Sequence, residues 1–198
     1  MPSTYRIRDV LLASLGLLLL WPMMLVIALL LWATQGKVWF RQTRPGYRAR
    51  PFVLIKFSTM YDARPGEPEA ARQRERLTPV GRYLRRYSLD ELPQLVNVLR
   101  GDMSLVGPRP LLLDYLPRYT PEERRRHDVP PGITGWAQIH GRNALTFKQR
   151  FAYDLWYVDH RSFALDLRIL GRTVGQVFTG KGVYADAETT SAPYDGTN

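Results

Sequence analysis

The sequence contains no cysteine among its 198 residues. This absence excludes a disulfide framework, a thiolate metal site and catalysis by a cysteine nucleophile. Histidine is scarce as well, and the three that occur, His127, His140 and His160, do not have the spacing of zinc ligands. Lysine is also rare, because 24 of the 28 basic residues are arginines. A thiol enzyme and a zinc enzyme are therefore both disfavoured.

The basic residues that are present give the chain a formal net charge of +10 at pH 7. A guanidinium group matches the geometry of phosphate and carboxylate, whereas a lysine ammonium acts only as a point charge. The arginine bias thus indicates a phosphate-rich partner, which is a nucleic acid, a nucleotide or an anionic membrane surface. The length of the chain fits one domain of moderate size and an anchor.

A membrane segment is predicted near the N-terminus. Residues 10–34 form an uncharged, apolar run of 25 residues. Such a run is long enough to cross a hydrocarbon core of about 30 Å as a helix. It is too long for the apolar part of a signal peptide, and no small-residue cleavage site ends it. We therefore expect this segment to stay in the protein and to insert in the membrane.

The charged residues on either side of this segment indicate how it is placed in the membrane. Basic residues prefer the cytoplasm, and they occur on both sides: Arg6 and Arg8 before it, then Lys37, Arg41, Arg44, Arg48 and Arg50 after it. Pro22, in the middle, removes a backbone donor and favours a bend. A helix that enters, bends and returns satisfies both flanks. Proline is also common in spanning helices, so the residues alone leave re-entry and spanning open.

The soluble part consists of short elements separated by turns. Two β-branched and aromatic runs, 38–40 and 52–57, flank the turn at 44–46 and predict a hairpin. Helices are predicted over 78–87, 88–100, from Thr120, 147–158 and 164–178. We expect a mobile surface loop at 62–76, a glycine-containing loop at 130–143 and a frayed tail after Gly182.

The acidic pair Asp90-Glu91 allows two interpretations. Ser88 and Glu91 have the spacing of a capping box, in which carboxylates at a helix N-terminus are purely structural. Pro93, however, fits poorly inside a helix that begins at Leu89, so the turn is expected to be irregular. An acidic pair on a basic surface near the membrane could instead hold Mg²⁺ together with a substrate diphosphate.

Arg109 lies between Pro108 and Pro110, which restrict its backbone and lower the entropy cost of presenting the guanidinium to a ligand. The alternative is an ordinary rigid turn with an exposed arginine. The segment 132–142 is only loosely similar to a phosphate cradle, because it lacks the spacing of a nucleotide-binding glycine loop.

Six motifs together resemble those of the small monotopic phosphoglycosyl transferases, a family of bacterial sugar transferases. The motifs are FRQ at 40–42, RPG at 44–46, KFSTM at 56–60, SLDELPQLVN at 88–97, GDMSLVGPRP at 101–110 and PGITGWAQIHGRN at 131–143. They occur in the expected order, and the resemblance extends from about residue 5 to residue 178. Ser58 departs from it, because the family pattern has arginine there, and so does Trp21, where several relatives have serine.

The resemblance implies roles for particular residues. Asp90 and Glu91 become the catalytic pair, which also contacts Mg²⁺, with Asp90 as the nucleophile. Pro108, Arg109 and Pro110 become the nucleotide contact. The remaining assignments are Lys56, Arg85 and Arg142 as substrate-binding residues and Pro22 as the membrane bend.

The resemblance also implies a fold and a function. The fold is a mostly helical α+β protein, with a re-entrant membrane helix (1–36), a catalytic domain with a short hairpin and amphipathic interfacial helices (37–182), and a flexible tail (183–198). We expect it at the cytoplasmic face of the bacterial inner membrane. There it would transfer a phosphosugar from a UDP-sugar to a polyprenyl phosphate through a covalent aspartyl intermediate, releasing UMP. Its partners would be these substrates and membrane lipid, without nucleic acid.

A different class of function accounts for the charge alone. A membrane-tethered basic module could bind nucleic acid or anionic lipid without catalysis. It would give Asp90-Glu91 no role, and the sequence has no helix-turn-helix, RNA-binding or zinc signature. A catalytically dead scaffold of the same family is disfavoured because the acidic pair and the Pro-Arg-Pro motif are both intact.

Overall fold

The structure, a computed structural model, describes residues 3–62, 76–141, 144–179 and 194–196. Most of the predicted loop at 62–76 and most of the tail lie outside these residues. The described chain is mostly helical and contains two small sheets of two strands each. This confirms the predicted fold class at the level of secondary structure, whereas membrane re-entry and a cytoplasmic domain stay predictions.

Helix α1, Ser3–Gln35, contains the whole uncharged run and continues through Pro22. By length and composition it is able to cross a membrane. One face packs against the rest of the protein, where Ala13, Ile27 and Leu31 are buried. The opposite face exposes large apolar side chains, which include Ile7, Leu11, Leu12, Leu15, Leu18, Leu19, Trp21, Leu25, Val26, Leu29, Leu30 and Trp32. A surface of this kind suits a lipid environment.

The predicted hairpin follows α1. Strand β1, Trp39–Pro45, pairs antiparallel with β2, Pro51–Phe57. A 3₁₀ turn, Tyr47–Ala49, joins them, so the strands are longer and the turn lies slightly later than the sequence predicts. Phe52 and Leu54 lie on one face of β2 and are buried in the main core, whereas Phe57 lies on the opposite face and is buried with Leu31 and Leu84. By this alternation Lys56, at the end of the strand, lies on the same face as Phe52 and Leu54.

Two short helices lie beyond the undescribed residues 63–75. Helix α2, Pro79–Arg86, begins as predicted, because Thr78 caps it and Pro79 occupies the first position. The segment predicted as one helix over 88–100 is divided into a 3₁₀ turn, Leu89–Glu91, and helix α3, Gln94–Arg100. Pro93 lies between the two, and Gly101 ends α3 with φ +90°.

The second sheet was not predicted. Strand β3, Ser104–Val106, pairs in parallel with β4, Gly132–Thr134. The one-turn helix α5, Trp136–Ile139, follows β4, so the expectation of a loop over 130–143 is wrong for these residues. Gly132 is required for the pairing, because a Cβ atom there would lie 2.1 Å from the Gly107 nitrogen. The glycine serves close backbone packing, which does not support a phosphate cradle at this position.

The remaining helices complete the core. Helix α4, Pro121–Arg124, has the predicted cap at Thr120, and helices α6, Phe147–His160, and α7, Phe163–Thr179, agree closely with the two predicted amphipathic helices. Between β3 and α4 lies a 3₁₀ segment, Leu113–Arg118, and a second one, Arg125–His127, follows α4. The main core joins β3, α3, α6 and α7 through Val98, Met103, Val106, Tyr157 and Ile169.

A smaller aromatic cluster lies beside this core. It contains Tyr115, Tyr119, Phe147, Phe151 and Tyr194. Tyr194 comes from the predicted frayed tail, yet its side chain is buried and its hydroxyl donates to Glu123. At Tyr194, therefore, the chain is packed rather than frayed.

Candidate active site

The acidic pair Asp90-Glu91 lies on an irregular turn between α2 and α3. Ser88 has the left-handed conformation with φ 54°, and its side chain caps no helix. The capping-box interpretation of Ser88 and Glu91 is therefore wrong. The expected irregularity at Pro93 is present, since the three residues after Ser88 form a 3₁₀ turn and the α-helix begins only at Gln94. This turn presents the two carboxyl groups to different surroundings.

The Glu91 carboxylate is held by two cations. Arg109 donates from Nη2 to Oε1 at 2.6 Å, with a longer contact from Nη1 to Oε2 at 3.4 Å. Lys56, from β2, donates to the same Oε1 at 3.0 Å. Burial alone would raise the pKa of Glu91, but Arg109 and Lys56 hold that pKa well below its ordinary value. Glu91 is thus an ionised group that links β2 to the Pro-Arg-Pro turn.

The Asp90 carboxyl has a different environment. It is 7% exposed, and burial raises its pKa above the ordinary value, while the charge of Glu91 adds to this effect. The positive charges of Lys56, Arg85 and Arg109 oppose the rise. Within the described part of the chain, no group donates a hydrogen bond to the Asp90 carboxylate. Asp90 is therefore a carboxyl group close to three cations, with its oxygens available to a ligand.

Two of the predicted binding residues contact this acidic pair, and a third, Arg85, lies close enough to lower the pKa of Asp90. Lys56 and Arg109 contact Glu91 directly, and Arg85 donates from Nε to Thr59 Oγ1 at 2.9 Å. Arg109 is therefore more than an exposed arginine on a rigid turn. The structure brings together elements that are distant in sequence, namely β2, α2, the acidic turn and the Pro-Arg-Pro turn. Arg142 lies outside the described residues. Pro22 lies within α1, and the next residues, Met23 and Met24, belong to the apolar cluster that also contains Leu89 and Leu92 on either side of the acidic pair.

Sequence reasoning missed a buried pair behind the Pro-Arg-Pro turn. Arg126 and Asp154 form an ion pair in which both side chains are at most 2% exposed. Arg126 lies in a run of charged residues that is typical of a solvent-exposed surface, and its partner is 28 residues away. The signal available from the sequence was Asp154 itself, a single acid between apolar residues of α6.

Among the described residues, no group of three or more His, Asp or Glu side chains forms a metal site. This does not conflict with Mg²⁺, which commonly uses one or two carboxylates and completes its coordination with water and substrate phosphates. The available oxygens of Asp90 fit that mode of binding. Glu91 would have to share its carboxylate with Arg109 and Lys56. Mg²⁺ at the acidic pair stays a prediction.

The chain is similar to known proteins over most of its length. The family model of bacterial sugar transferases matches residues 2–180. The chain is 53% identical, over 80% of its length and 79% of the relative's, to the uncharacterized sugar transferase EpsL of Bacillus subtilis. It is 43% identical to a UDP-glucose:undecaprenyl-phosphate glucose-1-phosphate transferase of Caulobacter vibrioides, covering 90% of this chain and 71% of that protein. An Escherichia coli protein of the same name is 40% identical over 90% of this chain, which corresponds to 41% of the larger protein.

Proposed function

Because the chain belongs to the bacterial sugar transferase family and is a phosphoglycosyl transferase, we propose that it transfers a phosphosugar from a UDP-sugar to undecaprenyl phosphate or another polyprenyl phosphate. The products would be a polyprenyl-diphosphate sugar and UMP. The names of the relatives from Caulobacter vibrioides and Escherichia coli support this choice of donor and acceptor. UDP-glucose is therefore the first donor to test.

The observation that carries the proposal is the environment of Asp90. Its carboxylate accepts no hydrogen bond from the described residues, whereas the neighbouring Glu91 is paired with Lys56 and Arg109. Three cations close to one available carboxylate suit a donor diphosphate, whose negative charge must come close to that carboxylate. An arrangement in which both acids were paired would support only a structural role.

The reaction that we propose has two displacements. In the first, an Asp90 oxygen attacks the phosphorus that bears the sugar; the bond from that phosphorus to the oxygen of UMP breaks, and UMP leaves. In the second, a phosphate oxygen of the polyprenyl phosphate attacks the same phosphorus and the bond to Asp90 breaks, which restores the carboxylate. Lys56, Arg85 and Arg109 would orient the diphosphate and offset its charge while Asp90 approaches.

The Mg²⁺ that we predict at Asp90 and Glu91 would supply further charge neutralisation on the phosphate oxygens when it is bound with the donor. Glu91 would then serve as a metal contact or as a general base. Its depressed pKa fits the metal contact better, because a base whose pKa lies far below neutrality accepts protons weakly.

We also propose that α1 re-enters the membrane surface from which it starts. Near its N-terminus, Arg6 donates to the Val98 and Leu99 carbonyls at the end of α3. Near its C-terminus, Gln35 donates to the Ser58 carbonyl after β2. Both ends of the helix thus contact the same domain, which supports re-entry over spanning. The basic flanks favour the cytoplasmic face for that domain.

A nucleotide-release assay tests the function directly. The purified protein would be incubated with undecaprenyl phosphate, Mg²⁺ and each member of a panel of UDP-sugars, and released UMP would be measured. We expect repeated turnover to UMP with at least one donor only when the polyprenyl phosphate is present, because donor alone should release at most one UMP per enzyme molecule in the first displacement. If no donor yields UMP while oligonucleotides show a salt-dependent gel shift, a basic binding module replaces the transferase.

A further inference from the structure

Arg126 is a buried arginine whose hydrogen bonds lead to the proposed nucleotide contact. Its Nη2 donates to Asp154 Oδ2 at 2.6 Å and to the Arg109 carbonyl oxygen at 2.7 Å. Nε makes a second contact with Asp154 at 3.2 Å. The guanidinium also lies against the rings of Tyr119 and Phe151. The side chain is therefore fixed in one orientation, with one of its donors directed at the backbone of Arg109.

Stability alone is a poor explanation for this buried pair. Replacing a buried ion pair by apolar side chains of similar volume is often neutral or stabilising, because both charges lose their hydration when they are buried. Arg126 and Asp154 are at most 2% exposed, and Phe151 and Tyr119 already supply apolar surroundings. A role that needs a donor at this place accounts for the arginine better.

The Pro-Arg-Pro turn needs such a donor. Pro108 and Pro110 have no backbone N–H, so regular ladder hydrogen bonds cannot hold this segment on either side of Arg109. Two contacts replace them in the structure. Gly132 donates its N–H to the Pro108 carbonyl at 3.0 Å, and Arg126 donates to the Arg109 carbonyl. These two carbonyls lie on either side of the Arg109 Cα atom, which is thereby fixed relative to β4 and α6.

The position of that Cα atom determines where the Arg109 guanidinium lies. The side chain extends from the turn to Glu91, where Nη2 is 2.6 Å from Oε1. A small displacement of the turn would move the guanidinium out of hydrogen-bonding distance, because the distance limits are narrow. We propose that Arg126, held by Asp154, is a positioning residue that sets the Arg109 guanidinium for the nucleotide of the donor. This inference rests on the proposed function.

The test uses two ways of removing the donor to the Arg109 carbonyl. The double variant Arg126→Met with Asp154→Leu removes both charges together, so that no unpaired charge stays buried. The single variant Arg126→Lys keeps a positive charge beside Asp154 but loses the planar fork that contacts two acceptors. In both, we expect the KM for the UDP-sugar to rise about tenfold, because the Arg109 guanidinium is misplaced. We expect kcat to stay within about twofold of wild type.

The matched control uses the neighbouring ion pair. Arg125 and Asp159 join the same two elements, the turn after α4 and helix α6, but their side chains are 43% and 45% exposed. Arg125→Gln with Asp159→Asn should leave KM unchanged. Thermal unfolding of each variant, measured in the same detergent, shows whether it is folded, and we expect the apolar double variant to be at least as stable as wild type.

A double-mutant cycle separates positioning from a general loss of structure. In an Arg109→Ala background there is no guanidinium to position, so the apolar double variant should no longer change KM. If its effect on KM is as large in that background as in wild type, the inference is overturned. A wild type that turns over UDP-sugar while the folded double variant keeps the wild-type KM overturns this inference alone. A wild type that neither binds nor turns over any UDP-sugar overturns the proposed function as well.

Discussion

Asp90 and Glu91 are adjacent in the chain, yet their carboxyl groups have different partners. Glu91 is ion-paired with Arg109 and Lys56, which lower its pKa, whereas burial raises the pKa of Asp90. Two neighbouring acids whose pKa values are moved in opposite directions are suited to separate tasks. A buried carboxylate of raised pKa is the better nucleophile once it is ionised, and the carboxylate of lowered pKa is the better permanent charge.

Asp90→Asn should abolish turnover while nucleotide-sugar binding stays nearly intact, because the amide keeps the shape of the side chain but lacks its charge and most of its nucleophilicity. Intact mass spectrometry with donor alone gives the sharper measurement. We expect the wild type to gain the mass of one phosphosugar and the Asn variant to gain none. A label on a peptide without Asp90 would assign the attack to another residue, and a wild type that never labels would favour direct transfer between donor and acceptor.

Lys56→Met should move the acid limb of the pH profile of kcat/KM to higher pH. In the proposed mechanism Asp90 must be ionised to attack, so activity should fall as the pH drops through its raised pKa. The positive charge of Lys56 lowers that pKa, and its removal raises the pKa further. The control is Lys37→Met, because Lys37 pairs with Asp62 on the surface and not with the acidic pair. An acid limb that stays in place or moves to lower pH in Lys56→Met would show that Asp90 does not control it.

The elements differ in how well the sequence predicts them. The hairpin, α2, α4, α6 and α7 were predictable because each has a local signal, such as a turn, a cap or a long amphipathic period. Strands β3 and β4 have three residues each, which is too short for a periodic pattern, and their pairing depends on the close approach of Gly107 and Gly132.

The candidate site likewise contains residues that the sequence predicts and contacts that it does not. The motifs singled out Asp90, Glu91 and Arg109, but the ion pair between Glu91 and Arg109 joins residues that are 18 positions apart. No local pattern encodes such a contact, since it depends on where β2, the acidic turn and the Pro-Arg-Pro turn meet. The pair of Arg126 and Asp154 was missed for the same reason.

The C-terminal segment should contribute to stability through Tyr194. This side chain is 1% exposed and packs on Tyr115, Tyr119, Phe147 and Phe151. Tyr194→Ala should lower the free energy of unfolding by about 3 kcal/mol, the lower end for large aromatic deletions. Tyr194→Phe should cost about 1 kcal/mol, because it loses only the contacts of the hydroxyl with Glu123 and with the Arg118 carbonyl oxygen. Thermal or denaturant unfolding in detergent measures both, and equal stability of wild type and Tyr194→Ala would mean that the segment does not pack there in solution.

At the scale of the whole molecule, α1 is joined to the domain by buried polar contacts as well as apolar ones. Arg8 forms ion pairs with Asp9 and with Asp166 of α7, and all three side chains are at most 6% exposed. Ser104 donates to Asp9, and Tyr157 donates to Asp166. The N-terminal basic flank is therefore bound to the domain itself, which supports the proposal that this end of the helix lies on the same side of the membrane as the domain.

The other end of α1 is bound to the domain as well. Leu31 packs with Phe57 and Leu84, and from Arg8 to Leu31 a straight helix would extend about 35 Å. If α1 spanned the membrane with these contacts intact, the domain would also have to reach across a hydrocarbon core of about 30 Å. A domain rich in arginine would lose too much hydration free energy there. Re-entry avoids this cost, because both ends stay at one surface.

Single cysteines can test this topology, because the sequence has none of its own. Thr4→Cys and Thr34→Cys place a thiol at exposed positions near the two ends of α1, and Glu122→Cys marks the domain. An impermeant maleimide should label all three only after the cytoplasmic side is opened, since re-entry keeps them on one surface. Leu18→Cys, on the exposed apolar face, should label only after detergent is added, because lipid covers it. Labelling of Thr4→Cys and Thr34→Cys from opposite sides would establish a spanning helix, and ready labelling of Leu18→Cys in intact membranes would place α1 outside the hydrocarbon core.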